Sequence, residues 1–139
     1  MAQFSVGQNA SFSKKITESD VAAFAEISGD KNPVHLDENY AKQTRFGKRI
    51  AHGTLSMGLI SAVLGNILPG HGTVYMSQTI KFVKPVFFDD TITAMVEITA
   101  IRADKGVVTL KTDCANQHGD KIAEGEAIVF HPDAKTSSQ

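Results

Sequence analysis

An acidic side chain and an imidazole lie five positions apart in the first third of the chain, at Asp30 and His35. A carboxylate and a histidine can accept and return protons near neutral pH, so this pair suits general acid–base catalysis. Gly29 and Pro33 interrupt a regular helix here, since glycine favours the position after a helix end and the residue before a proline favours extended geometry. The sequence therefore predicts that Asp30 and His35 lie on a rigid loop, where catalytic groups are common.

Two helices are predicted on either side of this loop. Thr17 is a typical N-cap, and Asp20 three residues later completes a capping box. Apolar residues then recur at helical spacing over 21–27, which predicts an amphipathic helix ending just before the loop. After the loop, Asp37 is expected to cap a shorter helix over 38–44.

The segment 53–68 contains no charged residue and is stopped by Pro69. A helix without a charged face is predicted to be buried, and this one is too short to cross a membrane. Alternating apolar residues follow in four segments, which we predict to be strands at about 74–82, 91–100, 108–114 and 122–130. The predicted fold class is α+β, a strongly curved antiparallel meander wrapped around a central buried helix at about 53–68.

Length and composition limit the possible functions. The 139 residues predict one domain over 1–134 and a disordered tail over 135–139. Fourteen basic and fifteen acidic residues give a net charge of −1, which argues against nucleic acid or an anionic membrane as the main partner. The N-terminus lacks a secretory signal pattern, so a cytoplasmic location is expected. The single cysteine, Cys114, excludes an internal disulfide framework and falls on the apolar side of a strand.

No metal site or phosphate-binding loop is predicted. The segment 65–70 lacks the Lys-Ser/Thr that would follow the glycines of a phosphate loop. The histidines outside the acid–base pair have no metal-ligand spacing among themselves or with the single cysteine. These histidines are His52, His71, His118 and His131.

A string of motifs runs through most of the chain. It comprises Phe24, Ser28-Gly29-Asp30, Asn32-Pro33, His35, Ala41, Ala51-His52-Gly53, the small-residue helix, Pro69-Gly70, Phe82, Pro85-Val86-Phe87 and Asp89-Asp90. The string resembles the signature of the MaoC-like (R)-specific enoyl-CoA hydratases, in particular the short single-domain bacterial members that feed polyester synthesis from fatty-acid oxidation. The resemblance implies a hot-dog fold, in which an antiparallel sheet wraps around a helix, and a homodimer.

The resemblance also implies an activity, the syn hydration of a trans-2-enoyl-CoA to an (R)-3-hydroxyacyl-CoA. The acyl-CoA is the substrate, and no cofactor is expected. The catalytic pair falls on Asp30 and His35. We expect Asp30 to accept the proton of the attacking water and return one to C2, while His35 orients the same water. The opposite division of roles remains open.

Further site residues are expected around the reacting thioester. Gly53 begins the predicted central helix, where unpaired backbone N–H groups converge, so its N–H is expected to bind the thioester oxygen. The substrate-binding set also includes Asn32, together with Ser61, which the resemblance brings near the reacting end. The residues expected to line an acyl pocket are Leu59, Leu64 and Val129. The residues expected to meet the phosphates of coenzyme A are Arg45, Lys48 and Arg49, for which an ordinary solvated surface is the alternative.

Three other functions remain open. The same site would serve dehydration of a 3-hydroxyacyl group on acyl carrier protein, given a basic docking face. A hot-dog thioesterase usually has a carboxylate on or near its central helix, yet no acidic residue occurs between Glu38 and Asp89. A non-catalytic acyl-CoA binding module has no need for both Asp30 and His35. The basic residues available for carrier docking are Arg45, Lys48, Arg49, Lys81 and Lys84.

Overall fold

The structure is a computed structural model that describes residues 3–136. Its helices and strands occur in the order β1 (Asn9–Lys15), α1 (Glu18–Ser28), α2 (Pro33–Leu36), α3 (Glu38–Lys42), α4 (Leu55–Asn66), β2 (Val74–Phe82), β3 (Thr91–Arg102), β4 (Val107–Ala115) and β5 (Lys121–Phe130). A short 3₁₀ turn, Pro132–Ala134, follows.

The strands form one antiparallel sheet in the order β1-β3-β4-β5-β2. The predicted meander is confirmed for β3, β4 and β5. It is wrong for β2, which pairs with β5 at the far edge instead of with β3. The other edge strand, β1, was not predicted, because it is exposed along nearly all of its length and shows no apolar alternation.

Strand β2 carries a bulge that changes which side chains are buried. The register with β5 shifts between Tyr75 and Ser77, so Met76 has no direct partner. As a result Val74, Met76 and Phe82 are exposed, whereas Tyr75 is half-buried. The apolar face predicted for this strand is therefore confirmed at Ile80, which packs against the core, and wrong at Val74, Met76 and Phe82.

Helix α4 lies against the sheet and packs on β1, β2, β3 and β4, as the α+β prediction requires. It is shorter than the predicted 53–68, since it begins at Leu55 and ends at Asn66. Its buried face carries Leu59, Ile60, Val63 and Leu64. The opposite face, with Gly58 and Ser61, is exposed, so the prediction of a helix buried on all sides is wrong for the single chain.

The predicted helix caps are confirmed. The Asp20 N–H donates to Thr17 Oγ1 at 3.1 Å, and the Thr17 N–H donates to Asp20 Oδ2 at 2.9 Å. Gly29 ends α1 with φ of 79°, a conformation that glycine adopts without strain. Asp37 caps α3, because its Oδ1 accepts from the Tyr40 N–H at 3.1 Å.

The C-terminal residues are held beside the turn between β3 and β4. The Thr136 N–H donates to the Ala103 carbonyl at 2.9 Å, and the Lys135 N–H donates to the Pro132 carbonyl at 3.2 Å. The remainder of the predicted tail, 137–139, lies outside the described residues. Among residues 3–136, no helix is both long and apolar enough to cross a bilayer.

Candidate active site

Asp30 lies on the loop that follows α1, as predicted. Its N–H donates to Ser28 Oγ at 3.1 Å, and its carboxylate Oδ1 accepts from the Asn32 N–H at 3.2 Å. The residue is exposed. The loop is therefore held by local hydrogen bonds, while Oδ2 of Asp30 remains available to a water molecule or a substrate.

His35 lies on the short helix α2, so the prediction that it lies on a loop is wrong. Pro33 occupies the first turn of α2, where a missing N–H costs nothing, and Asn32 caps it. The Asn32 Oδ1 accepts from the Val34 N–H at 3.2 Å. Asn32, directly before the proline, is non-helical with φ of −54° and ψ of 127°, and the helix begins one residue later.

The His35 ring is buried and has one defined hydrogen bond. Its Nδ1 donates to the Ile50 carbonyl at 2.7 Å, which leaves Nε2 with a free lone pair in the neutral ring. Burial lowers the pKa of His35, opposed by the Ile50 carbonyl and reinforced by the neighbouring His52. His35 is therefore in place to accept a hydrogen bond from water at neutral pH.

His52 joins this pair, and the sequence reasoning missed it. Its side chain is 1% exposed, and its Nε2 donates to the Asp30 carbonyl at 2.8 Å. Its ring stacks on that of His35, with centroids 3.8 Å apart and an interplanar angle of 29°. The signal that could have found it is its place directly before Gly53, within the same motif.

The three side chains form a compact group. One carboxylate oxygen of Asp30 and one ring nitrogen each of His35 and His52 lie within 4.8 Å of one another. A water that donates to two acceptors at about 2.8 Å holds them about 4.5 Å apart. The group therefore has the dimensions for one water shared between Asp30 and His35. The absence of a metal remains a prediction.

Gly53 lies two residues before α4 rather than within it. Its N–H makes no hydrogen bond to any residue within 3–136. A Cβ at this position would lie 3.1 Å from the ring of Phe82, so the backbone approaches the aromatic ring closely. An unpaired N–H on an exposed glycine is available to an oxygen of a bound molecule.

A groove of about 300 Å³ opens beside Gly53. Its lining includes Gly53 and Phe82, together with Ile50, whose carbonyl holds the His35 ring. The segment 50–53 thus lies between the groove and the acid–base pair. Arg45 and Lys84 add positive charge to the lining.

The three basic residues predicted to meet phosphates have different surroundings. Arg45 lines the groove and lies 4.9 Å from the centre of the Phe46 ring. Lys48 lies 4.4 Å from the centre of the Phe87 ring. Arg49 forms ion pairs with Glu18 and Glu38, which connect α1 with α3.

These observations agree with comparisons to known proteins. Residues 3–117 match the MaoC-like domain family. The chain belongs to the MaoC-like domain family. An (R)-specific enoyl-CoA hydratase of Rhodospirillum rubrum is 50% identical over 126 residues, which cover 91% of this chain and 87% of that protein. An (R)-specific enoyl-CoA hydratase of Aeromonas caviae is 46% identical over 127 residues, covering 91% and 95%.

The fold of this MaoC-like protein is equally well matched. The solved structure of an (R)-hydratase from A. caviae involved in PHA biosynthesis superposes with a TM-score of 0.91 at 45% identity. The match covers 95% of this chain and all of that one. The predicted α+β hot-dog fold is thereby confirmed.

Four expected site residues of the MaoC-like protein, Ser61 and the three of the expected acyl pocket, do not line the groove. Ser61 is exposed on the free face of α4. The expected acyl pocket differs from the structure, because its three residues pack in the core between α4 and the sheet and none lines the groove. These three are Leu59, Leu64 and Val129. Their apolar side chains therefore contribute to the hydrophobic core of the single chain.

Proposed function

We propose that the protein hydrates trans-2-enoyl-CoA to (R)-3-hydroxyacyl-CoA, in a reversible reaction that needs no cofactor. The observation that carries this proposal is the approach of the Asp30 carboxylate and a His35 ring nitrogen within 4.8 Å, together with the unpaired N–H of Gly53, the residue that follows His52 of the same group. Relatives at 46–50% identity bear the name (R)-specific enoyl-CoA hydratase. The products are precursors suited to polyhydroxyalkanoate synthesis, the process in which the similar A. caviae (R)-hydratase is involved.

The reaction begins with a water held between Asp30 and His35. One O–H donates to the Asp30 carboxylate and the other to His35 Nε2. The oxygen bonds to C3 as Asp30 takes the water proton, and the electrons of the C2=C3 bond move toward the thioester oxygen. Asp30 then returns the proton to C2 on the same face, which gives syn addition and restores the carboxylate. The lowered pKa of His35 supports Asp30 as the proton carrier.

The negative charge on the thioester oxygen requires a donor. We assign this role to the Gly53 N–H, supported by its lack of a partner within residues 3–136 and by its position on the groove. A single donor of this kind contributes about 2.7–4 kcal/mol to transition-state stabilisation. Asn32 is proposed as a further substrate contact, since its Oδ1 is occupied by the helix cap and its amide N–H₂ remains to donate.

The groove is proposed to hold the pantetheine arm of coenzyme A. Arg45 and Lys84 line it, and Lys48 lies nearby over Phe87, so these cations can meet the phosphates. Arg49 is not included, because it is engaged by two carboxylates. A phosphopantetheine arm on a carrier protein would fit the same groove, and a 3-hydroxyacyl-ACP dehydratase is therefore the second candidate.

Two further properties belong to this proposal. A homodimer is supported by the free edge of β2 and by the exposed, charge-free face of α4. In that assembly Ser61 would be covered, next to the substrate of one of the two protomers. A cytoplasmic location is proposed on the basis of the single cysteine, which is unpaired and buried.

The first experiment measures the loss of enoyl-thioester absorbance with crotonyl-CoA, with free thiol recorded in parallel. We expect absorbance to fall without thiol release and the product to be (R)-3-hydroxybutyryl-CoA. Asp30→Asn removes the proton acceptor and should lower kcat by about 10²–10⁴-fold. Asp104→Asn is the matched control, because Asp104 is an exposed aspartate paired with Arg102 outside the site.

Two results would contradict the proposal. Thiol release at the rate of absorbance loss would identify a thioesterase, and full activity in Asp30→Asn would exclude the assigned chemistry. Binding of acyl-CoA without turnover, on both coenzyme A and carrier-protein substrates, would instead indicate a binding module.

Arg45→Ala tests the placement of the coenzyme. We expect it to raise KM for crotonyl-CoA severalfold with little change in kcat, since the arginine contacts a part of the substrate that does not react. The N-acetylcysteamine thioester lacks the phosphates, so its KM should be unaffected. An equal effect on both substrates would contradict the phosphate assignment, and a preference for a carrier-protein thioester would favour the second candidate.

A further inference from the structure

His52 is connected to both members of the acid–base pair, yet no step of the reaction uses it. Its Nε2 donates to the Asp30 carbonyl at 2.8 Å, and its ring lies 3.8 Å from that of His35. On α1, Phe24 contributes a second aromatic contact with the His52 ring at a centroid distance of 4.8 Å. The imidazole is thus held between two rings and a backbone carbonyl.

The backbone around His52 is itself fixed. The Ala51 N–H donates to the Val86 carbonyl at 2.8 Å, and Ile50 forms an isolated β-bridge with Phe87. The Ile50 carbonyl accepts from His35 Nδ1. The segment 50–52 therefore contacts the two catalytic residues at separate points. The Ile50 carbonyl and the face of the His52 ring contact the His35 ring, whereas the ring Nε2–H of His52 binds the Asp30 carbonyl.

We propose that His52 is a positioning residue that fixes the Asp30 loop and the plane of the His35 ring relative to each other. This inference rests on the proposed hydration reaction. A water shared by two acceptors requires both at a set separation, and misplacement by about 1 Å can reduce the rate a hundredfold. The hydrogen bond sets the position of Asp30, and the stacking sets the orientation of His35.

The stacking has an electrostatic consequence. His35 on α2 and the Asp30 carboxylate on the loop are the titratable groups near His52, whereas Phe24 on α1 is uncharged. Two imidazolium rings in face contact would repel each other, so His52 opposes protonation of His35 and lowers its pKa. His52 Nδ1 is buried and has no hydrogen-bond partner among the described residues.

Two substitutions separate the contributions. His52→Phe keeps an aromatic ring for the stack and removes the N–H donor, whereas His52→Gln keeps a donor and removes the ring. We expect each to lower kcat by about ten- to a hundredfold with KM little changed. The acid limb of kcat/KM should move to higher pH in both, because neither side chain can carry a positive charge against His35.

His131 provides the matched control. It is also buried, at 3% exposure, its Nε2 donates to the His71 carbonyl at 2.8 Å, and its ring contacts Phe4 edge-on. It therefore shares with His52 the burial, the Nε2–H bond to a backbone carbonyl and an aromatic neighbour, although its Nδ1 accepts from the Asp133 N–H and it lies outside the acid–base group. His131→Phe and His131→Gln should leave kcat and the pH profile unchanged, even where they lower the melting temperature.

A second measurement needs no substrate. The pKa of His35, followed by NMR of the histidine side chains in the free protein, should rise in both His52 variants and stay constant in the His131 variants. If the wild-type protein did not hydrate crotonyl-CoA, the proposed function would fail. The NMR titration would still test whether His52 lowers the pKa of His35.

The inference would be overturned by an unchanged kcat and an unchanged His35 titration in a folded His52 variant. Equal effects from the His131 variants would also overturn it, because burial alone would then explain the loss. If one His52 variant failed to fold, the other would decide. If both failed to fold, His52 would be a core residue rather than a positioning residue.

Discussion

The His35 imidazole lies in surroundings that disfavour its positive charge. Burial is the main cause of its lowered pKa, and the stacked ring of His52 adds to it. The unfolded chain, where a histidine titrates near 6.5, therefore binds this proton more readily than the folded one. Because the unfolded state gains the extra proton as pH falls, the stabilising contribution of neutral His35 is present above about pH 6.5 and lost below it.

This direction gives a prediction for activity and stability together. If His35 must be neutral to hold the water, the acid limb of kcat/KM lies below pH 6.5, and activity is fully retained at pH 7. The free energy of unfolding should fall from pH 7 to pH 5 by more in the wild-type protein than in His35→Gln. Urea denaturation at both pH values measures the difference, and an equal fall in the two proteins would contradict the assignment.

Gly53 offers a second test at the scale of one residue. A methyl group there would lie 3.1 Å from the Phe82 ring and would also obstruct access to the Gly53 N–H. We expect Gly53→Ala to lower kcat/KM for crotonyl-CoA by about tenfold or more. Steady-state kinetics of Gly53→Ala combined with Phe82→Ala separates the causes, because the second change removes the ring contact. Full recovery in the double variant would contradict the role of the N–H.

The elements that carry the pair are short and depend on tertiary support. Helix α2 has four residues, too few to be stable alone, and owes its position to the Asn32 cap and to the contact between His35 and the Ile50 carbonyl. Arg49 joins α1 to α3 on either side of this turn through Glu18 and Glu38, and it lies 4.8 Å from the centre of the Phe88 ring. The arginine thereby holds the two helices that flank the site.

Arg49 and Arg45 should therefore respond differently to removal. Arg49→Ala is expected to lower the free energy of unfolding by about 1–2 kcal/mol, because two half-exposed ion pairs and an aromatic contact are lost together. KM for crotonyl-CoA should change little. Arg45→Ala should instead raise KM for crotonyl-CoA and leave the free energy of unfolding little changed. Urea denaturation and steady-state kinetics on both variants check this, and a raised KM in Arg49→Ala with unchanged stability would restore Arg49 as a phosphate ligand.

Local signals were sufficient for part of this site and not for the rest. The capping box at Thr17 and the left-handed Gly29 placed Asp30 correctly, because both act within a few residues. The contacts of His52 and of the Ile50 carbonyl with the pair were missed because they span 15 to 22 residues of chain, and the motif that contains His52 does not show which residues it contacts. Edge strand β1 was missed, and β2 was predicted without its bulge, for a related reason. Both features are defined by the strands they pair with and not by alternation of their own side chains.

At the scale of the whole molecule, the single chain leaves apolar surface uncovered along one edge. Strand β2 pairs with β5 on one side, and no strand within residues 3–136 pairs with its other edge. Val74 and Met76 on this strand are 54% and 49% exposed. The free face of α4 carries Gly58 and Ser61 without a charged residue. Exposed edge strands of this kind favour pairing with a second copy.

The proposed homodimer can be tested with two methionines. Light scattering coupled to size-exclusion chromatography should give twice the chain mass of 14.9 kDa for the wild-type protein. Met76→Lys places a charge on the β2 edge and should shift the protein toward the monomer at micromolar concentration, because a lysine on an edge strand opposes pairing. Met95→Lys is the control, since Met95 is similarly exposed, at 38%, on β3 in the interior of the sheet.

Activity measurements distinguish a dimer in which association completes each active site from a dimer in which each chain already holds a complete site. If substrate lies against Ser61 on the covered face of α4, the Met76→Lys monomer should lose kcat/KM for crotonyl-CoA, even though its Asp30 and His35 are unchanged. Raising the protein concentration should restore activity in step with the dimer fraction, because the site would be completed by association. A monomeric Met76→Lys protein with full activity would mean that each chain holds a complete site. A Met95→Lys protein that dissociates equally would place the interface on the face of the sheet instead of the β2 edge.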